Sequence, residues 1–537
     1  MDTYTNGMSL EEQIGQALMV GFWGTKPSQE IIDLITRYHV GNIILFSRNT
    51  GDTRQVLELT RSLQEIAKEA GHRYPLLIAI DQENGIVQRL GEAVTIFPGN
   101  MALGAIGSDE IAYEVARATG EELLALGINM NLAPVVDVNN NPANPVIGVR
   151  SFGENPRLVA RLGAAMVRGY HAAGVISCLK HFPGHGDTAT DSHLALPTIP
   201  HSLERLESLE LVPFRRAIEA GTGSVMIAHV AFPALTQQED LPATLSPAIV
   251  KGLLREHLGF NGVIISDCLE MQAISETFGV QRGAVMALQA GNDLVLVSHL
   301  YERQQGSFEA IRAAVEANEL APQVIRQAAE RLLRLKASHL SWDRLPGVTK
   351  MPAIIGNEEH MQLQKRAYER LPVLVRSDAG LLPLRLNTGE RILVIAPERY
   401  SMSMVEDRYY SDDILVDILR QYHTNVSMTR VPAGEASREA LQGTRATDIF
   451  IVATVNAHMD EGQAEVVRQL VSSGRRVIGI AVRNPYDLLA FPQLRTYLVT
   501  YEYTRPALNA AARAIFGERQ AYGHLPVSIP GLYPKDL

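Results

Sequence analysis

Eight short apolar, β-rich runs punctuate the first three hundred residues. They are Gln16–Gly21, Gly41–Phe46, Leu76–Ile80, Met130–Val136, Val175–Leu179, Ser224–Ala228, Val263–Ser266 and Asp293–Val297. Between most of them, apolar residues recur every three to four positions, the period of a helix with one buried face. Such segments are Ser28–His39, Thr53–Ala70, Asp109–Leu126, Arg157–Ala173, Leu203–Gly221 and Pro247–Leu258. Ser202 and Ser246-Pro247 mark helix starts, while Gly127, Gly174 and Gly221 mark stops. Eight strands alternating with helices predict a (β/α)8 TIM-like barrel. The alternative is an open doubly wound sheet, which is weakened because no G-x-G-x-x-G or G-x-x-x-x-G-K-[ST] loop follows the first run.

A second α/β pattern follows. Pro322–Ala337 reads as a helix and Ser338–Pro352 as a linker. Strand candidates then come at Ile392–Ala396, Asn425–Thr429, Ile449–Thr454, Val477–Val482 and Tyr497–Thr500, with amphipathic segments such as Glu461–Ser473 between them. The expected division is a catalytic barrel over 1–337, a linker over 338–355 and a smaller doubly wound α/β sandwich over 356–537. A chain of 537 residues exceeds what one hydrophobic core usually organises.

Composition narrows the class of partner. With 46% hydrophobic and 20% charged residues, the chain has the balance of a globular protein. A net charge of −10 argues against nucleic acid or an anionic membrane as the main partner. No apolar stretch reaches bilayer length, and the first residues carry no basic region before an apolar one, so the expectation is a cytoplasmic protein. Cys178 and Cys268 sit in or at the ends of apolar runs and read as packed thiols.

The candidate chemistry lies where a barrel would place it. Asp81 ends the third run, Lys180 and His181 the fifth, His229 the sixth and Asp267 the seventh, and in barrels those strand ends form the catalytic face. Lys180 to His193 reads K-H-F-P-G-H-G-D-T-A-T-D-S-H, a polar, glycine-punctuated loop directly after a buried strand. A carboxylate such as Asp267 at a strand end could be a nucleophile, a base, a metal ligand or a cap. Asp191, two residues before His193, could fix its tautomer and raise its basicity, making an acid/base dyad that works near neutral pH. A carboxylate facing such a dyad across a sugar is the minimal kit for retaining glycoside transfer. Blander roles exist for each group. Asp191 could cap a helix, Lys180 and Arg150 could form structural ion pairs, and His229 could be a hydrogen-bonded core residue. His185 and Asp187 read as loop-shaping residues.

The motif K-H-F-P-G-H-G-D-T-x-x-D-S-H-x-x-L-P resembles the signature of bacterial β-N-acetylglucosaminidases of glycoside hydrolase family 3, the NagZ type. Ile80–Leu90, Ala133–Val138, Asn144–Gly153, Met226–Val230 and Ser266–Met271 agree with it, and Leu381–Leu384 and Asn484–Asp487 resemble the family's C-terminal domain. The resemblance implies that Asp267 attacks the anomeric carbon and that His193, oriented by Asp191, protonates the leaving oxygen. It implies that Asp81, Arg89, Arg150, Lys180 and His181 hold the sugar hydroxyls, with His229 close to the nucleophile. The substrate implied is a terminal N-acetylglucosamine on a muropeptide or related glycoside, with no cofactor and no metal. The sequence departs from the family at Asn84 and Ile86, where the common pattern has glycine and arginine. Rival readings are a phosphorylase on the same site, and a metal-dependent hydrolase using His181, His185, Asp187, Asp191 and His193. A non-catalytic glycan-binding protein is the third, and it should have lost Asp267 or His193. Glu398 and Glu502 are candidates for an acid/base supplied by the second domain, a role that the intact D-S-H loop makes unnecessary.

Overall fold

The computed structural model describes residues 4–192, 194–398, 405–407, 413–431, 445 and 448–534. Eight parallel strands close into a barrel in chain order: β1 (Leu18–Val20), β2 (Asn42–Leu45), β3 (Leu77–Ile80), β4 (Met130–Asn131), β5 (Ile176–Phe182), β6 (Ser224–Ile227), β7 (Val263–Cys268) and β8 (Leu294–Val297), which pairs back to β1. Each expected run overlaps one of these strands, and β5 and β7 continue past theirs, to Phe182 and Cys268. Their continuous hydrophobicity follows from burial on both faces. Along β2, Ile44 points into the barrel with Met19, Leu77, Met130 and Met226, whereas Ile43 and Leu45 pack outward beneath the helices. The alternation of side chains along a strand thus builds two cores from one sequence run.

The helices start and stop for local reasons. Ser28, Asp52, Ser108 and Asn155 each accept a backbone N–H from the first helical turn. Gly174 ends Pro156–Ala173 in the left-handed conformation, φ 83°, where a Cβ would be strained. Two expected helices differ in detail. Leu203–Gly221 is two helices, Leu203–Ser208 and Leu211–Glu219, with Leu209 out of helical geometry between them. The segment after Pro247 is a π-helix, Ala248–His257.

The second layer is a six-stranded sheet formed by β9 (Val373–Ser377), β10 (Ile392–Pro397), β11 (Val426–Val431), β12 (Ile449–Thr454), β13 (Arg476–Ala481) and β14 (Thr496–Val499). Its order is β9-β14-β13-β12-β10-β11, parallel except for β9 against β14. Five strands match expected runs. The antiparallel edge strand β9 was not expected, because its outer positions are exposed and its pattern is only half apolar. Apolar clusters cover both faces of this sheet. One of them includes Met101, Ala102, Ala105 and Val149 from the barrel's catalytic end, so the second domain is cemented to that end. Among the described residues, no helix is long and apolar enough to cross a membrane.

Candidate active site

Asp137 and Asn144 tie the motif loop to the barrel, Asn144 by donating to the carbonyls of His185 and Gly186 at 2.9 Å. Asp137, just beyond β4, accepts the backbone N–H of His185 at 2.8 Å and Nδ1–H of His181 at 2.8 Å, together with the His181 N–H at 3.2 Å. Burial alone would push the Asp137 carboxyl up, but His181 and His185 outweigh it and hold it below the usual carboxylate range. His185 is spent inside the loop, on Thr188 and Ser192, both at 3.0 Å. Burial lowers its pKa to about 4, which makes it a neutral framework residue. Gly186 is required here, since a Cβ would fall on the carbonyl oxygen of Val138.

Above this frame lies a buried charge network. Lys180 Nζ, at the end of β5, is 2.6 Å from Asp81 and 2.6 Å from Glu83. Arg150 donates two parallel hydrogen bonds of 2.9 Å to the Glu83 carboxylate and lies 3.4 Å from His181 Nε2. Burial opposes the charge of Glu83, yet Arg150 and Lys180 outweigh it and keep the carboxyl far below its ordinary range. Burial likewise opposes the ammonium of Lys180, which Asp81 and Glu83 hold charged. Arg89 reaches Asp81 at 3.7 Å and, on its other side, Asp407 at 2.9 Å and the Val405 carbonyl at 2.7 Å. Asp407 and Val405 belong to the C-terminal half of the chain, so two domains build one wall.

Asp267 stands at the end of β7, its Oδ1 accepting the N–H of Cys268 at 2.7 Å. It shares a cavity of about 320 Å³ with Asp81, Arg89, Arg150, Lys180 and His181. The expected nucleophile and five expected sugar-binding residues therefore meet in one place. His229 is next to this wall and not part of it. It is fully buried, with Nε2 2.9 Å from the Cys268 carbonyl and Nδ1 2.7 Å from Thr244 Oγ1, which fixes the strand end that carries Asp267. Asp191 is buried, and its carbonyl accepts the N–H groups of Leu194 and Ala195 in a turn rather than starting a helix. His193 lies outside the described residues.

Several residues that build or support this site were not singled out from the sequence. Glu83 and Asp137 sat within matched segments, and their carboxylate chemistry was the available signal. Nothing local could have pointed to Asp407, which is over three hundred positions from Arg89. The two departures have local explanations. Asn84 adopts φ 68°, a left-handed conformation that asparagine tolerates better than most residues. Ile86 packs against the second domain's core, and its carbonyl accepts the N–H of Asp407. Glu502 is buried away from the cavity, bonded to Tyr368, Gly99 and Thr504, and burial raises its pKa. It ties the domains together. Glu398 is exposed and does not line the cavity.

Residues 9–335 match the family described as glycosyl hydrolase family 3, N-terminal domain. Beta-hexosaminidase A of Pseudoalteromonas piscicida is 34% identical over 589 residues, covering 97% of this chain and 97% of that protein. A solved glycoside hydrolase family 3 β-N-acetylglucosaminidase from Paenibacillus sp. str. FPU-7 superposes with a TM-score of 0.91 at 43% identity, covering 97% of this chain and 99% of that one. A fungal multi-domain family 3 β-N-acetylglucosaminidase superposes with a TM-score of 0.91 at 45% identity. There the match takes in 98% of this chain and 62% of the fungal one.

Proposed function

The chain belongs to glycosyl hydrolase family 3, and on that premise we propose that it is a retaining exo-β-N-acetylglucosaminidase. In this reading it removes terminal N-acetylglucosamine from muropeptides or related glycosides in the cytoplasm. One observation carries the proposal. Asp267 lines the same cavity as a ring of buried, mutually paired polar groups of the kind that can hold sugar hydroxyls.

The chemistry follows from that layout. The rigid strand end presents the Asp267 carboxylate to the anomeric carbon, and attack gives a covalent glycosyl-enzyme. His193, steadied by Asp191, donates a proton to the departing oxygen and then takes one from the incoming water. Asp81, Lys180 and Arg89 hold hydroxyls on the opposite side, and because their charges already balance within the network they need little reorganisation as the transition state forms. The same balance favours water over phosphate as the acceptor. Lys180 and Arg150 direct their charge to Asp81 and Glu83 and form no cradle for an added dianion. The metal-dependent alternative gains little from His181 and His185, since both ring nitrogens of each face protein groups.

A fluorinated N-acetylglucosamine probe tests the assignment. It should label one peptide, the one containing Asp267, and Asp267→Ala should lose nearly all turnover. Labelling elsewhere would remove Asp267 from the nucleophile's role. Under millimolar phosphate the main product should be free N-acetylglucosamine. A dominant N-acetylglucosamine 1-phosphate would replace hydrolysis by phosphorolysis.

A further inference from the structure

Trp23 follows β1 directly, at the catalytic end of the barrel, and it is 62% exposed. A single exposed apolar side chain usually needs no explanation. Three observations set this one apart. Of the large apolar side chains that stand exposed among the described residues, Trp23 is the one that lines the Asp267 cavity. Its loop is also fastened. Asn49 Nδ2 donates to the carbonyls on either side of it, Phe22 at 3.0 Å and Gly24 at 2.9 Å, and Gln55 Nε2 donates to Thr25 at 2.6 Å.

Third, the indole is braced from one side by a fixed cation. Arg48 lies 4.7 Å from the Trp23 ring centre and 4.2 Å from that of Phe46. Its guanidinium is held by the Phe22 carbonyl at 2.9 Å, the Ser298 carbonyl at 2.6 Å and His299 Nδ1 at 3.2 Å. Arg48 lines the same cavity, but its guanidinium is spent on these three partners and supports the ring. An aromatic surface kept open on an anchored loop has already met the ordering cost that a mobile side chain would meet on binding.

We propose that Trp23 is the platform for the leaving group, stacking a second pyranose ring, the sugar released as the aglycone. The proposal rests on the glycosidase reading of the cavity and names its substrate class: a glycan of at least two sugar units. The occupant is set by position. A sugar whose anomeric carbon faces Asp267 sends its glycosidic oxygen toward the mouth, where the rim offers a flat apolar surface. The C–H face of a pyranose matches such a surface, while its edge hydroxyls stay in water.

The experiment compares two donors with the same sugar and different leaving groups, N,N′-diacetylchitobiose and N-acetylglucosaminyl fluoride, which has no aglycone ring. In Trp23→Ala the ratio of kcat/KM for the disaccharide to that for the fluoride should fall about tenfold, and Trp23→Phe should recover part of it. An unchanged ratio would overturn the proposal. Fluorescence gives a second readout, since the chain has two tryptophans, and Trp342 lies at the opposite end of the barrel with Nε1 on the Arg73 carbonyl. In Trp342→Phe the emission should shift on adding thio-linked diacetylchitobiose and stay unchanged with N-acetylglucosamine alone. Equal responses to both sugars would place the second ring elsewhere. A wild type that cleaves neither donor would sink the glycosidase reading, while this titration would still decide the platform.

Discussion

Glu83→Gln removes one negative charge from the centre of the candidate site without changing its shape. The side chain is buried and holds two cations at once, Lys180 at 2.6 Å and Arg150 through two bonds of 2.9 Å. A glutamine can accept from one of them, but its amide N–H₂ must then face the other cation. Breaking a buried pair on one side costs about 3–5 kcal/mol, because the remaining charge stays buried without its partner. Here Asp81 keeps part of the Lys180 pairing, so the loss should fall near the lower figure. That remains a large share of the 5–15 kcal/mol typical of folded domains. The pH dependence has a definite sign. The Glu83 carboxyl is depressed in the fold, so its contribution is present above the unfolded carboxylate value, about 4.3, and fades as pH drops through the folded value. The gap between variant and wild type should therefore be constant from pH 8 to 5.5 and shrink below about pH 4. Urea unfolding followed by tryptophan emission suits the test, since Trp23 and Trp342 both report on the barrel half. A loss under about 1 kcal/mol at pH 7, or a gap that widens in acid, would refute the bridging role.

Three further outcomes are expected. His193→Ala should slow substrates with poor leaving groups far more than aryl glycosides, with Asp191→Ala a weaker copy of the pattern; equal falls for both classes would end the acid/base assignment. Asp407→Asn should lower kcat/KM about tenfold, mainly through KM, because Arg89 loses a charge-assisted anchor and can swing toward Asp81; unchanged kinetics would show that the second domain does not position the site. Lys336 is buried beneath the barrel on Gln16 and Gly41, and desolvation lowers its pKa to about 7. The folded chain then binds fewer protons than the unfolded one above that pH, so the stability advantage of Lys336→Met should narrow by about 2 kcal/mol between pH 7 and 9. Parallel pH profiles for the two proteins would show that the buried amine stays charged.

The sequence by itself determined the barrel, because its strands are buried on both faces and read as apolar runs wherever the rest of the chain lies. It also determined where chemistry could sit, since a strand's end is a local property, and Asp81, Lys180, His181 and Asp267 are each visible as the polar residue that stops a run. The edge strand β9 escaped because one of its sides faces water and its pattern is diluted. What tertiary structure alone decided is who faces whom. Glu83 meets both Lys180 and Arg150 only because β3 and β5 are brought round the same closed barrel, and Arg89 meets Asp407 only because a second sheet docks on the catalytic end. The same closure withdrew His229 from the cavity and left Trp23 at its rim. Hydrophobic periodicity reports whether a position is buried. Ion pairs and cavity walls depend on distances between segments far apart in the chain, and those distances exist only once the cores have packed.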